Sequence, residues 1–238
     1  MPGLGTIINT AAIVVGGLLG LLFKNLLTKS MEDTLLKASS VCVLFIGIGG
    51  AMQHMLKITD GALETSGSMM LIICFVLGSI VGELLDIEGA FERFGAWLRK
   101  KTHNESDTGF LSAFIHASLT VCIGAMAIVG SIQDGLLGDY SLLCAKAALD
   151  AVIILVMTAS MGKGCIFSAI PVALLQGGVT LLSRVLAPVF TEAAIANLSY
   201  TGSVMIFCVG LNLVWGKKIK VANLLPTLVF AVLYALVF

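Results

Sequence analysis

Eight runs of mostly apolar residues, parted by short polar breaks, occupy most of this chain, and a soluble globule cannot bury that many. They are Gly5–Leu22, Ala38–Met55, Gly67–Leu85, Phe110–Ile128, Leu142–Gly162, Phe167–Leu186, Thr201–Val214 and Val221–Phe238. A helix that crosses a bilayer needs about 20 mostly apolar residues, because each backbone amide must find its partner inside the helix. Of the 238 residues 58% are hydrophobic and 12% charged, against about a quarter charged in soluble domains. Too little polar surface remains to cover a globule in water. The sequence predicts an all-α, polytopic transmembrane helix bundle, a single integral membrane domain over residues 1–238. About eight spans are expected, or six to eight if one of the short late runs is re-entrant. The first run lacks a basic segment before it and an Ala-x-Ala pattern after it. It reads as a retained span rather than a removed signal peptide.

The basic residues orient the spans. With eight spans and both termini outside, Lys24, Lys29 and Lys37 fall in the first cytoplasmic loop. Arg93, Arg99, Lys100 and Lys101 fall in the third loop, Lys163 in the fifth, and Lys217, Lys218 and Lys220 in the seventh. These are 11 of the 14 Lys and Arg, while Lys57 and Arg184 are outside. Such an excess marks the cytoplasmic side. In the third loop Phe91, Phe94, Trp97 and Leu98 recur at helical spacing among the basic residues, as in an interfacial helix on an anionic leaflet. Met31–Lys37 reads as a shorter surface segment of the same kind. A net charge of zero gives no reason to expect nucleic acid as a partner. The six cysteines lack CxxC spacing and read as small hydrophobes.

Weak self-similarity divides the chain into units 4–52, 67–128 and 168–214. Gly16-Gly17-Leu18-Leu19-Gly20 is echoed by Gly78-Ser79-Ile80-Val81-Gly82. The spans that follow open on Ala38-Ser39 and Ala117-Ser118 and reach Gly47 and Gly124. Near the end, Ala173 to Gly177-Gly178 echoes Ala12 to Gly16-Gly17, and Ser203-Val204 to Gly210 echoes Ser40-Val41 to Gly47. The last match is five spans away, so it implies an inverted repeat, a plan of secondary transporters. The Gly16/Gly20 and Gly78/Gly82 spacings are faces where helix backbones approach closely. Packing within the chain is the expected use, and a homo-oligomer seam the alternative.

No P-loop, HExxH or GxSxG occurs, so no enzyme, cofactor or metal site is expected. The stretch Gly130 to Tyr140 holds Gln133, Asp134 and Asp139 between glycines. It reads either as a cation mouth or as a polar hairpin whose Asp139 caps the next helix. Lys146 and Asp150 lie within the fifth span, four residues apart and so on one helix face. An unpaired charge there costs about 2.5–3.5 kcal/mol on insertion scales, so the two are expected to pair inside the bundle. Gln133 or a neighbouring amide is the other partner considered for Asp150. Asn9, Gln176, Asn212 and Asn223 are further polar groups in apolar runs, and Glu83 lies near the inner end of the third span. Pro171 and Pro226 can interrupt their helices, as happens where transporters build sites.

Several stretches look familiar as a set. They are Gly5-Thr6-Ile7-Ile8-Asn9, Leu77-Gly78-Ser79-Ile80-Val81-Gly82-Glu83, Gly130-Ser131-Ile132-Gln133-Asp134-Gly135 and Lys217 to Pro226. Together they resemble the bacterial membrane proteins catalogued as domain of unknown function 554, over nearly the whole chain. The resemblance implies a bacterial plasma (inner) membrane location and a label of transport protein, and it supplies no site residues. The expected partners are the bilayer and a small solute or ion. A transporter with a polar site near mid-membrane is the expectation. An oligomeric channel and a non-transporting scaffold or regulator are its rivals.

Overall fold

The computed structural model describes residues 3–24, 28–59, 61–104, 107–123 and 125–237. They form α1 (Leu4–Lys24), α2 (Lys29–Met55), a hairpin of β1 (Leu56–Thr59) and β2 (Ala62–Thr65), α3 (Ser68–Leu85) and α4 (Ile87–Lys101). There follow α5 (Phe110–Cys122), α6 (Ala125–Leu137) and α7 (Ser141–Met161). A 3-10 turn, Lys163–Ser168, leads into α8 (Ala169–Leu181), α9 (Ser183–Leu186) and α10 (Glu192–Trp215). A second, Val221–Leu224, leads into α11 (Pro226–Val237). Six helical segments are long and apolar enough to cross a membrane: α1, α2, α3, α7, Lys163–Leu181 and α10. The pair α5 and α6 makes a seventh if its 60° bend lies within one span. Val221–Val237 is a shorter apolar segment.

The bundle is thus all-α and polytopic, with three departures from the pattern expected. The fourth run is two helices rather than one. Its expected glycine, Gly124, lies outside the described residues. Met31–Lys37 is not a separate surface segment: Thr28 caps Met31 N–H and starts one continuous 27-residue helix. The short seventh run is the second half of α10, which Thr191 caps through Ala194 N–H. Pro171 and Pro226 sit in the first turns of α8 and α11, where a missing N–H costs little, and each helix is entered through a 3-10 turn.

Glycines set how the helices meet. A methyl on Gly16 or Gly20 of α1 would overlap the carbonyls of Ala151 and Leu155, so α1 and α7 run parallel in close contact. Gly78 and Gly82 of α3 meet Thr227 and Asn223 in the same way. Both faces are therefore filled within the chain. The two seams differ in sense, since α3 lies antiparallel to its partner. Gly177 and Gly178 face open space. In the antiparallel pair α2 and α10, Gly47 lies against the Phe207 backbone and Gly210 against Leu44. Around the bundle, side chains such as Phe45, Ile72, Leu84 and Val152 are exposed, as a lipid-facing surface requires.

The amphipathic helix α4 packs on α5 instead of lying free. Phe94 stacks on Trp97 and tilts against Phe114, and Leu98 is buried. Trp97 stays exposed, with the Lys101 ammonium over its ring. Lys57 lies on the β-hairpin, paired in register with Glu64.

Candidate functional site

Asp150 is the tenth residue of α7, roughly 14 Å along a 21-residue helix and so near its middle. Helix geometry puts Lys146 one turn earlier on the same face, and both side chains are buried. The Lys146 ammonium lies 2.8 Å from each Asp150 oxygen. The third member is Asn9 of α1, fully buried, whose Nδ2 donates to Asp150 Oδ2 at 3.0 Å. The Gly16 and Gly20 contacts bring α1 near enough to α7 for that bond. Asn9, rather than Gln133, is the partner that Asp150 finds. Removing one member of such a pair leaves an uncompensated buried charge, at about 3–5 kcal/mol.

Asp134 is also buried, but in a different way. The stretch 125–137 is helical, so Gln133 and Asp134 are not in a hairpin. The turn is confined to 138–140, where Gly138 alone takes a positive φ, +69°. Gly130 and Gly135 serve helix contact instead, against Leu143 and against Thr180 and Ser183. Asp134 is 0% exposed, and its Oδ2 accepts the Gly5 N–H at 3.0 Å. It thereby satisfies one free donor at the start of α1. Gln133 is half-buried. Asp139 is exposed and accepts the Ser141 N–H at 3.0 Å. Ser141, through its side chain and backbone, holds that carboxyl below the usual carboxylate range. Gln176 of α8 is 1% exposed, and neither atom of its amide has a partner among the described residues.

The remaining expected residues gather at the opposite end of the bundle. Asn223 Oδ1 accepts the Glu88 N–H at 2.7 Å, and its Nδ2 donates to Glu83 at 2.6 Å. Lys220 bridges to Glu83 at 2.5 Å. That carboxylate raises the Lys220 pKa. Asn212 holds the turn after α10, donating to Ile219 O at 2.7 Å and accepting from the N–H groups of Lys218 and Ile219. Two residues not expected belong here. Glu88 is buried, accepts the Ala222 N–H at 3.0 Å, and pairs with Lys217 at 3.0 Å. Lys217 also meets Glu92. His116 of α5 is buried beside them, its Nδ1 2.8 Å from Ser112 O. Glu88, His116, Asn212 and Lys217 line a cavity of about 180 Å³. Glu88 shares a helix face with Phe91 and Leu98 at spacings of three and ten, which is its signal in the sequence.

The two places differ chemically. Asn9, Lys146 and Asp150 form a charged group enclosed within helices that span. Glu83, Glu88, Asn212, Asn223, Lys217 and Lys220 knit a helix terminus, two turns and α4 together at an edge.

Comparisons with known proteins find a family of unknown function and relatives that include a membrane protein. A family model described as protein of unknown function (DUF554) matches residues 4–236. The uncharacterized membrane protein YdfK of Bacillus subtilis (strain 168) is 26% identical over 224 residues, covering 94% of this chain and 92% of that protein. The uncharacterized protein YqgA of Escherichia coli (strain K12) is 25% identical over 235 residues, covering 96% and 94%. No solved structure matches the chain at a significant level.

Proposed function

This chain belongs to the DUF554 family of proteins of unknown function, and on that premise we propose that it is a membrane transporter of a small solute or ion. The observation that carries this reading is the Asn9–Asp150–Lys146 group, a charged pair and an amide enclosed near the middle of spanning helices. Ionisable groups at that depth are costly to insert and mark substrate or ion pathways by default. Broken helices accompany it: α5 meets α6 at 60° and two further segments begin as 3-10 turns. Transporters build sites beside such breaks.

A second support is a matched spacing in α2 and α10, which we read as an inverted repeat. Gly47 and Gly210, Leu44 and Phe207, and the capping residues Thr28 and Thr191 are all 163 residues apart. The Gly47–Phe207 contact therefore has its counterpart in Gly210–Leu44, as a two-fold axis between antiparallel helices requires. On the basic-residue bias this reading sets the Lys217 and Lys220 end at the cytoplasm and the start of α1 outside.

The test uses purified protein in proteoliposomes under imposed proton, sodium and potassium gradients. Wild type is expected to dissipate one gradient or accumulate a solute against it. Asp150→Asn, recovered folded, is expected to abolish that flux. Unchanged flux in Asp150→Asn would remove this site from the mechanism.

A further inference from the structure

At the end of the bundle where α1 begins lies a group of buried oxygens that the Asp150 site does not use. Thr6 of α1 and Thr180 of α8 line a cavity of about 440 Å³. Both are buried, and neither hydroxyl has a hydrogen-bond partner among the described residues. Asp134 and Gln176, also buried, are each next in sequence to a glycine that lines the cavity, Gly135 and Gly177. Asp134 gives Oδ2 to Gly5 and leaves Oδ1 without a partner; Gln176 leaves Oε1 without one. Gln176 and Thr180 are one turn apart on one face of α8, as Thr6 and Asn9 are on α1. Asn9 Oδ1 is the fifth such oxygen, while its Nδ2 is held by Asp150.

Packing alone does not account for this. A buried polar group without a partner costs about 1–3 kcal/mol, and here five side chains on three helices share that defect. Asp134 differs from Asp150 in a further respect: among the described residues no cation pairs with it. A buried carboxylate that stays ionised needs a compensating charge. We propose that these oxygens form a binding site for a monovalent alkali cation, with Asp134 Oδ1, Gln176 Oε1 and the hydroxyls of Thr6 and Thr180 as its ligands. The donors are all hard oxygens, which suits alkali and alkaline-earth ions over transition metals. A single carboxylate balances one positive charge, whereas calcium sites assemble several. Asp134 and Thr180 lie in the last turns of α6 and α8, whose C-terminal ends add negative partial charge. Arg184 also lines the cavity but is exposed, so its charge is in water and screened.

The proposal rests on the transport reading for its use, and names the class of coupling ion. Asn9 lies three residues from Thr6 on α1 and holds Asp150 through its nitrogen, so the cation site and the Lys146–Asp150 pair share one helix.

Equilibrium binding tests the site without needing transport. Full-length protein in detergent is titrated with sodium, potassium or lithium chloride at ionic strength held constant with choline chloride. Thermal unfolding and binding of radioactive sodium are followed. One alkali ion is expected to raise Tm saturably, since a ligand of the folded state stabilises it. Asp134→Asn is expected to abolish the rise, and Thr180→Val to raise the half-saturating concentration about tenfold, a loss of about 1.4 kcal/mol. Thr180→Val keeps the side-chain shape, so it reports on the ligand if Asp134→Asn fails to fold. No alkali-dependent change in either readout, or unchanged binding in Thr180→Val and Asp134→Asn, would overturn the proposal. Cation binding without any flux would leave this site standing and defeat the transport reading. Flux indifferent to all three cations, with no binding, would do the reverse.

Discussion

Two groups of charged side chains stand at different depths in this molecule, and depth decides what each is worth. Lys146, Asp150 and Asn9 are enclosed by helices, with Asp150 3% exposed. Glu83 and Lys220, at the opposite end, form an ion pair of similar length, but each side chain is more than half exposed. Both pairs are in direct ionic contact. In this conformation the first holds its charges where water cannot replace a lost partner; the second holds them where it can. Glu88 is intermediate, a buried carboxylate whose ammonium partner, Lys217, is half exposed.

The contrast predicts an order of effects. Asp150→Ala leaves Lys146 buried without its counter-charge, and is expected to lower Tm in detergent by about 10 °C. The double variant Lys146→Met with Asp150→Leu is expected to recover more than half of that loss. A double variant as unstable as the single one would mean that the charges themselves are not the cost. Next comes Gly47→Ala, which forces a methyl onto the Phe207 backbone and is expected to cost about 1–3 kcal/mol. Gly210→Ala meets the Leu44 side chain before any backbone and should cost less; a larger loss at Gly210 than at Gly47 would contradict that geometry. Lys220→Met is expected to leave Tm unchanged, because an exposed pair contributes little.

The smallest effect concerns pH. The Arg93 guanidinium, 2.9 Å away, holds the exposed Asp86 carboxyl below its ordinary value. A lowered folded pKa binds fewer protons than the unfolded state. Its stabilisation is therefore complete above the usual carboxylate range and is lost as pH falls through the folded value. Arg93→Gln should flatten that acid limb of a stability–pH profile slightly. An unaltered limb would show that the pair does nothing for stability.

Much of the bundle can be read from the sequence because lipid imposes a length on each apolar run. The Lys146–Asp150 pair is equally readable, since four residues on a helix fix a shared face whatever surrounds it. Asn9 as its partner is not readable, because that bond depends on α1 and α7 lying parallel across 141 positions. Asp134 illustrates a different difficulty. Glycines at 130, 135 and 138 suggest a turn, yet two of them are small residues for helix contact, and only Gly138 turns the chain. Local sequence does not distinguish a glycine that frees the backbone from one that admits a neighbour. The break between α5 and α6 is likewise hidden, because the run through it stays apolar.

A transporter's Asn9–Asp150–Lys146 group is reached by water during function, whereas a packing element stays sealed. A single cysteine at Asn9, in a protein whose six native cysteines are replaced, reports on this without knowledge of the substrate. In oriented vesicles, a small membrane-impermeant thiosulfonate is added to either side. Asn9→Cys is expected to be labelled from the side where α1 begins, and more slowly in saturating alkali cation. A cysteine unreactive from both sides, in protein shown to be folded, would contradict that expectation and leave the group a packing element of the bundle.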